Sequence, residues 1–217
     1  RWLIYALAIL TSLCAAVMAD DSSRENRRPL DLPSGGSGSN DDEEDITESI
    51  TFYGAEFEGD GFFWCLDKSG SMIGDQFATL QSEVTMAIQQ LSANAEFGLV
   101  AFSSNHVVWR ENPSRATSNN KLAAIGWVQA LAAGGGTMIS PAGVATLEIC
   151  NHSQKNHRAV IVLGDGLPAD ESVALEEITG ANYQSVPINT ILIADVGGIP
   201  FMQMLAGMNQ GTFKFID

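Results

Sequence analysis

The sequence predicts an α/β protein: a doubly wound, mostly parallel sheet with helices on both faces and one antiparallel strand at its edge. Two observations predict it. Short continuous apolar runs, such as Phe62–Leu66 and Ala159–Leu163, have the length and composition of strands buried on both faces. Between them lie segments whose apolar residues recur at helical spacing. Strands that alternate with helices carry their connections across the faces of a parallel sheet, here of about six strands.

The first 49 residues precede that pattern. Arg1 is followed by Trp2–Ala19, an apolar run in which only Thr11 and Ser12 are polar, with small or modest side chains at Val17-Met18-Ala19. Residues 1–19 read as a secretory signal peptide or as an N-terminal membrane anchor, since 18 residues just span a bilayer. Either reading makes this an exported protein of a periplasm, cell envelope or extracellular space, touching membrane only through that segment. Residues 20–49 read as an acidic linker. They contain Pro29, Pro33, a Gly/Ser stretch and the run Asp41-Asp42-Glu43-Glu44-Asp45, and so little apolar surface cannot offset the entropy of ordering.

The folded domain is expected over residues 50–217. Ile50–Phe57 is apolar enough to pack on its edge. Phe62–Leu66 is the first buried strand. Gly74–Ser92 follows as an amphipathic helix, with Phe77, Leu80, Val84, Ile88 and Leu91 on one face. Phe97–Phe102 is the second strand, and Val107-Val108-Trp109 an antiparallel edge strand after a polar turn. Leu122, Ile125, Val128 and Leu131 mark another helix, and Pro141–Cys150 a further one with proline in its first turn. Ala159–Leu163 is a strand, Glu171–Thr179 a helix, Ile188–Ala194 a strand, Pro200–Met208 a helix and Thr212–Ile216 a last strand.

Charge narrows the function. The formal net charge is −15, the wrong sign for neutralising phosphates, so nucleic acid is not a partner. Residues 20–60 hold 13 Asp/Glu against three Arg, whereas residues 61–217 hold 13 against seven Lys/Arg. Most of the excess acid therefore belongs to the tail. Of the three cysteines, Cys14 lies in the leader. Cys65 and Cys150 can pair, but buried thiols are the plainer reading.

Three loops carry the chemistry, each at or beside the carboxyl end of a strand, where doubly wound sheets build ligand sites. They are Asp67-Lys68-Ser69-Gly70-Ser71-Met72, Gly134-Gly135-Gly136-Thr137 and Gly164-Asp165-Gly166. Together they offer two carboxylates and three hydroxyls, all hard oxygen donors of the kind magnesium takes. Neither His nor Cys joins them, which disfavours zinc. Taken alone, Asp67 would be read as a helix cap, the glycines as a flexible link and Lys68 as solvent-exposed. Trp109 and Trp127 read as packing groups, and the three His as surface residues. Asn151-His152-Ser153 matches a glycosylation acceptor.

The three loops, in this order on these elements, resemble the metal-ion-dependent adhesion site of von Willebrand factor A-type domains. The resemblance covers about Thr51 to Asp217 and implies a Rossmann-like sheet. Thr51-Phe52-Tyr53-Gly54 is also similar to bacterial envelope members of that family. The resemblance implies that Ser69 and Ser71 ligate Mg2+ (or Mn2+) directly, Thr137 directly or through water, and Asp67 and Asp165 mainly through waters. Gly164 stands where the family usually has a hydroxyl residue. A protein partner that supplies an acidic side chain to the metal is implied as well.

An enzyme is not expected. A haloacid-dehalogenase-type phosphatase needs a second Asp where Ser69 stands, and a serine hydrolase needs Gly-x-Ser-x-Gly with a late His, which is absent after Asp165. The function expected is therefore divalent-cation-dependent protein binding. The alternative is a structural scaffold of an envelope assembly that binds without metal.

Overall fold

The computed structural model describes residues 47–217. The expected leader or anchor, and all of the expected linker but its last three residues, lie outside the described residues.

The described chain opens with an antiparallel hairpin, β1 (Glu48–Phe52) and β2 (Ala55–Gly59). Strand β1 thus starts two residues ahead of the domain boundary drawn at residue 50. The two-residue turn is Tyr53-Gly54, with φ of 50° and 65°, the doubly left-handed turn whose twist matches the strands it joins. Ile50, Phe52 and Phe57 are buried while Thr51, Glu56 and Glu58 are exposed, so the hairpin buries one face. It does so beside helix α1 (Asp75–Gln90). Gln90 clasps Thr51 through both of that residue's backbone groups.

The central sheet follows. Its strands are β3 (Gly61–Asp67), β4 (Glu96–Phe102), β5 (His106–Val108), β6 (Ser114–Arg115), β7 (Arg158–Gly164), β8 (Ile188–Ile193) and β9 (Phe213–Ile216). The order is β5-β4-β3-β7-β8-β9, with β6 beside β4 as well. Strands β3, β4, β7, β8 and β9 run parallel; β5 and β6 are antiparallel to β4. The expected fold class and antiparallel edge strand are therefore present, and the two-residue β6 is an addition.

Side chains alternate across this sheet and feed two cores. Phe62, Trp64 and Leu66 of β3 face α1, the hairpin and α2 (Ser118–Ala130). Phe63 and Cys65 face α3 (Ser140–Asn151), α4 (Glu171–Ala181) and α5 (Ile199–Met208). In α2 the expected apolar face is partly wrong. Leu122 is exposed, and Ala124 and Val128 make the buried contact, because a small side chain lets this helix lie close. Trp109 stacks on Phe97 at 5.1 Å between centroids, under the guanidinium of Arg110.

Cys65 and Cys150 are free and buried. Burial pushes both thiols up to about 12, which leaves them unreactive. The glycosylation match does not suit the fold: Asn151 ends α3, and Ser153 is buried with its hydroxyl on Glu96. Among the described residues no helix is long and apolar enough to cross a membrane.

Candidate metal centre

Neighbouring parallel strands bring the two acids together. Leu66 of β3 pairs with Leu163 of β7. Asp67 is the last residue of β3, and Asp165 follows Gly164, the last of β7, at the same end of the sheet. Both side chains are buried, Asp67 at 1% exposure and Asp165 at 6%.

The turn after β3 folds back on Asp67. The Ser69 backbone N–H donates to Asp67 Oδ1 at 2.7 Å, a local Asp-centred turn rather than a helix cap. Gly74, with φ of 103°, takes the N-cap position of α1 and contributes no side chain. The Ser69 and Ser71 hydroxyls lie 3.0 Å apart, and Ser71 Oγ donates to Asp165 Oδ1 at 2.9 Å. A chain of hard oxygens therefore runs from one carboxylate to the other.

One atom of that chain lacks a partner. Asp67 Oδ2 is buried and accepts no hydrogen bond of good geometry, although the Asp165 backbone N–H lies near enough to favour the charged form somewhat. A Cβ on Gly164 would sit 3.4 Å from this oxygen. Burial pushes the Asp67 carboxyl up to about 6, against hydrogen bonds from Ser69 and with help from the Asp165 charge. Asp165 is raised too, first by burial, with the Ser71 hydroxyl opposing and the Asp195 charge adding.

The glycine-rich loop is held against this turn by backbone bonds. Gly134 N–H donates to the Lys68 carbonyl at 2.8 Å and Gly70 N–H to the Gly135 carbonyl at 2.9 Å. A Cβ on Gly70 would approach that carbonyl to 3.1 Å, so glycine allows the close passage. Thr137 is half-buried and is tied to the third loop through its carbonyl, which accepts from Ala169 N–H at 2.8 Å. The Thr137 backbone is therefore anchored to the segment that follows Asp165. Direct hydrogen bonds join only the Asp67, Ser69, Ser71 and Asp165 members of the set.

Sequence reasoning missed three supporting residues. Ser104, just past β4, accepts from Gly136 N–H at 2.8 Å. Ser103 receives Lys68 Nζ at 3.1 Å, so Lys68 is half-buried and engaged, not free in solvent. Asp170 is buried and accepts from Ile139 and Ser140 N–H at 3.0 and 2.8 Å. It thereby satisfies the start of α3 and fixes the residues after Thr137. The signal for the serines was position, since they leave a strand at the same end as Asp67. Asp170 gave none, because its partners lie about 30 residues away.

Among the described residues no group of three or more His, Cys, Asp or Glu side chains is placed to hold a metal. A cation at this site would need oxygens beyond the two carboxylates.

Residues 62–167 match the family model of the von Willebrand factor type A domain. The described domain is a von Willebrand factor type A domain. This A domain is 29% identical over 110 residues to inter alpha-trypsin inhibitor, heavy chain 4, of Mus musculus, a match covering 48% of this chain and 12% of that protein. The chain thus spans a small part of that relative's length. Among solved structures, the A domain resembles a von Willebrand factor type A protein from Catenulispora acidiphila, with TM-score 0.65 and 22% identity over 75% of this chain and 40% of that one. It also resembles proximal thread matrix protein 1 of the mussel byssus, in a structure whose adhesion-site motif holds zinc, with TM-score 0.59 and 16% identity over 79% of this chain and 46% of that one. At such identities these likenesses concern the fold.

Proposed function

We propose that this A domain binds a protein partner through one divalent cation held by Asp67, Ser69, Ser71, Thr137 and Asp165, and that it catalyses no reaction. The observation that carries the reading is the buried, unpartnered Oδ2 of Asp67 at one end of a run of hard oxygens. A buried carboxylate oxygen that accepts no hydrogen bond of good geometry is costly, and a cation would relieve that cost. Bound there, the metal would supply a Lewis-acid centre that attracts a carboxylate of the partner. Asp67 and Asp165 would balance its charge, Ser69 and Ser71 would offer hydroxyl oxygens, and Thr137 would approach from the glycine-rich loop. Mg2+ or Mn2+ is the cation proposed. A structure of the mussel protein has zinc in its adhesion-site motif, so zinc belongs in the test.

The apolar run at 2–19 and the segment Thr51–Gly54 support export and an envelope setting. The alternative, a metal-free scaffold, has one point in its favour: the two Ser hydroxyls and Asp165 already bond one another.

Calorimetry with Mg2+, Mn2+ and Zn2+ on wild type and Asp67→Ala decides between them. We expect one site in wild type and a loss of about tenfold or more in affinity in the variant, with the fold retained. Capture of envelope proteins should then depend on the cation and be lost in chelator. Equal metal binding by both proteins, or none by either, refutes the cation reading.

A further inference from the structure

Eleven large apolar side chains are exposed among the described residues; three of them stand beside the loops that build the candidate metal centre and a fourth on the neighbouring loop after β8. Ile73 follows the Ser71 turn and is 67% exposed. Met138 follows Thr137, Leu167 follows Asp165-Gly166, and Val196 follows Asp195 after β8, at 37%, 48% and 65%. These loops form one connected rim. The Ser71 turn is bonded to the glycine-rich loop through Gly70 and Gly135, and Thr137 to the third loop through Ala169. The third and fourth loops touch, since a Cβ on Gly198 would lie 2.8 Å from the Gly166 carbonyl oxygen. Beside Met138 a cavity of about 340 Å3 opens, lined also by Ser104, Asn105, His106 and Pro141.

Charge says what this rim accepts. Asp67, Asp165 and the exposed Asp195 lie at this end of the sheet. Lys68, the cation within the first of these loops, is engaged with Ser103. Without metal the end is acidic and offers an acidic partner nothing but apolar contact. With metal it offers one point of attraction ringed by Ile73, Met138, Leu167 and Val196.

We infer that this rim selects a protruding protein loop in which one acidic residue is flanked by apolar side chains, and that Ile73, Leu167 and Val196 set that selectivity while the cavity beside Met138 receives one flanking side chain. The inference rests on the cation-binding reading above. It goes further by naming the partner's chemistry and the residues of this chain that recognise it. Buried apolar groups add affinity in proportion to the area they remove from water, and central apolar anchors carry a large share of an interface's energy.

The test uses the full chain and two disulfide-cyclised peptides that present Leu-Asp-Leu or Ser-Asp-Ser at the tip, titrated in Mn2+. The Leu-Asp-Leu peptide should bind about tenfold more tightly or better, and a Leu-Asn-Leu peptide should not bind. In the triple variant Ile73→Ser/Leu167→Ser/Val196→Ser the preference should fall to about twofold or less while Mn2+ affinity stays at the wild-type value. Leu122→Ser, at an exposed leucine on α2, should leave the preference intact. Equal binding of the two Asp peptides by Mn2+-loaded protein, or binding of neither, overturns the inference and leaves the cation reading standing. Failure of wild type to bind Mn2+ overturns the cation reading itself.

Discussion

At the scale of the residue, Asp67 decides how the A domain responds to pH. Its carboxyl is pushed up to about 6, first by burial, from an ordinary value near about 4. Between those two pH values the folded chain binds more protons than the unfolded chain. The stability of the metal-free protein therefore falls as pH rises through that window and levels off above it, by on the order of 3 kcal/mol at most. This is the reverse of a salt-bridged aspartate. Asp165 is raised as well and adds in the same direction. Metal binding runs the other way, because a cation needs the carboxylate and its affinity climbs as the proton leaves. Thermal melts in chelator should show wild type losing more stability than Asp67→Asn between pH 4.5 and 7. Mn2+ titrations of wild type should show affinity dropping as pH is lowered through about 6. A pH dependence shared equally by the two proteins would remove Asp67 as its source.

At the scale of the element, one glycine sets how closely two helices pack. A Cβ on Gly143 of α3 would meet Ile178 Cδ1 of α4 at 2.6 Å, so these helices touch through the absence of a side chain. Gly143→Ala should lower stability by about 1–3 kcal/mol through overpacking, despite the better helix propensity of alanine. Adding Ile178→Val should return part of the loss, read from urea midpoints as a coupling between the two sites. Such contacts mark the limit of what sequence shows. Strands β3, β4, β7 and β8 were legible because a strand buried on both faces must be apolar throughout, and the Asp67, Ser69, Ser71 and Asp165 cluster because its members leave such strands directly. The β1–β2 hairpin hid behind its turn. Tyr53 adopts a left-handed backbone that bulky residues rarely take, so Tyr53-Gly54 carries no turn signal comparable to Asn-Gly. In α2 the eye follows Leu122, whereas packing chose Ala124. Asp170, Ser103 and Ser104 act on residues some 30 positions away in sequence, and no local pattern announces such bonds.

At the scale of the whole molecule, charge and metal separate cleanly. The chain carries −15, and residues 1–46 account for nine Asp/Glu and four Arg, a net of −5, which leaves −10 on residues 47–217. Every oxygen proposed to hold the cation lies in that second part. At physiological ionic strength charges more than about 8 Å apart in solvent are largely screened. A protein of residues 47–217 should therefore bind Mn2+ as the full chain does in 0.15 M salt, within about twofold, and fall behind it only at low salt, where the Debye length grows to about 30 Å. The metal should also show in stability. Saturation at about a hundred times Kd adds about 2.7 kcal/mol to a folded state that alone binds the ion. For a domain of this size each kcal/mol moves the melting temperature by about 2–4 °C, so the rise is about 5–10 °C. Asp67→Ala, compared at the same Mn2+ concentration, should lose most of it. Loss of Mn2+ binding from residues 47–217 in 0.15 M salt would mean that the acidic tail supplies a ligand, and Asp67, Ser69, Ser71, Thr137 and Asp165 would then form only part of the coordination shell.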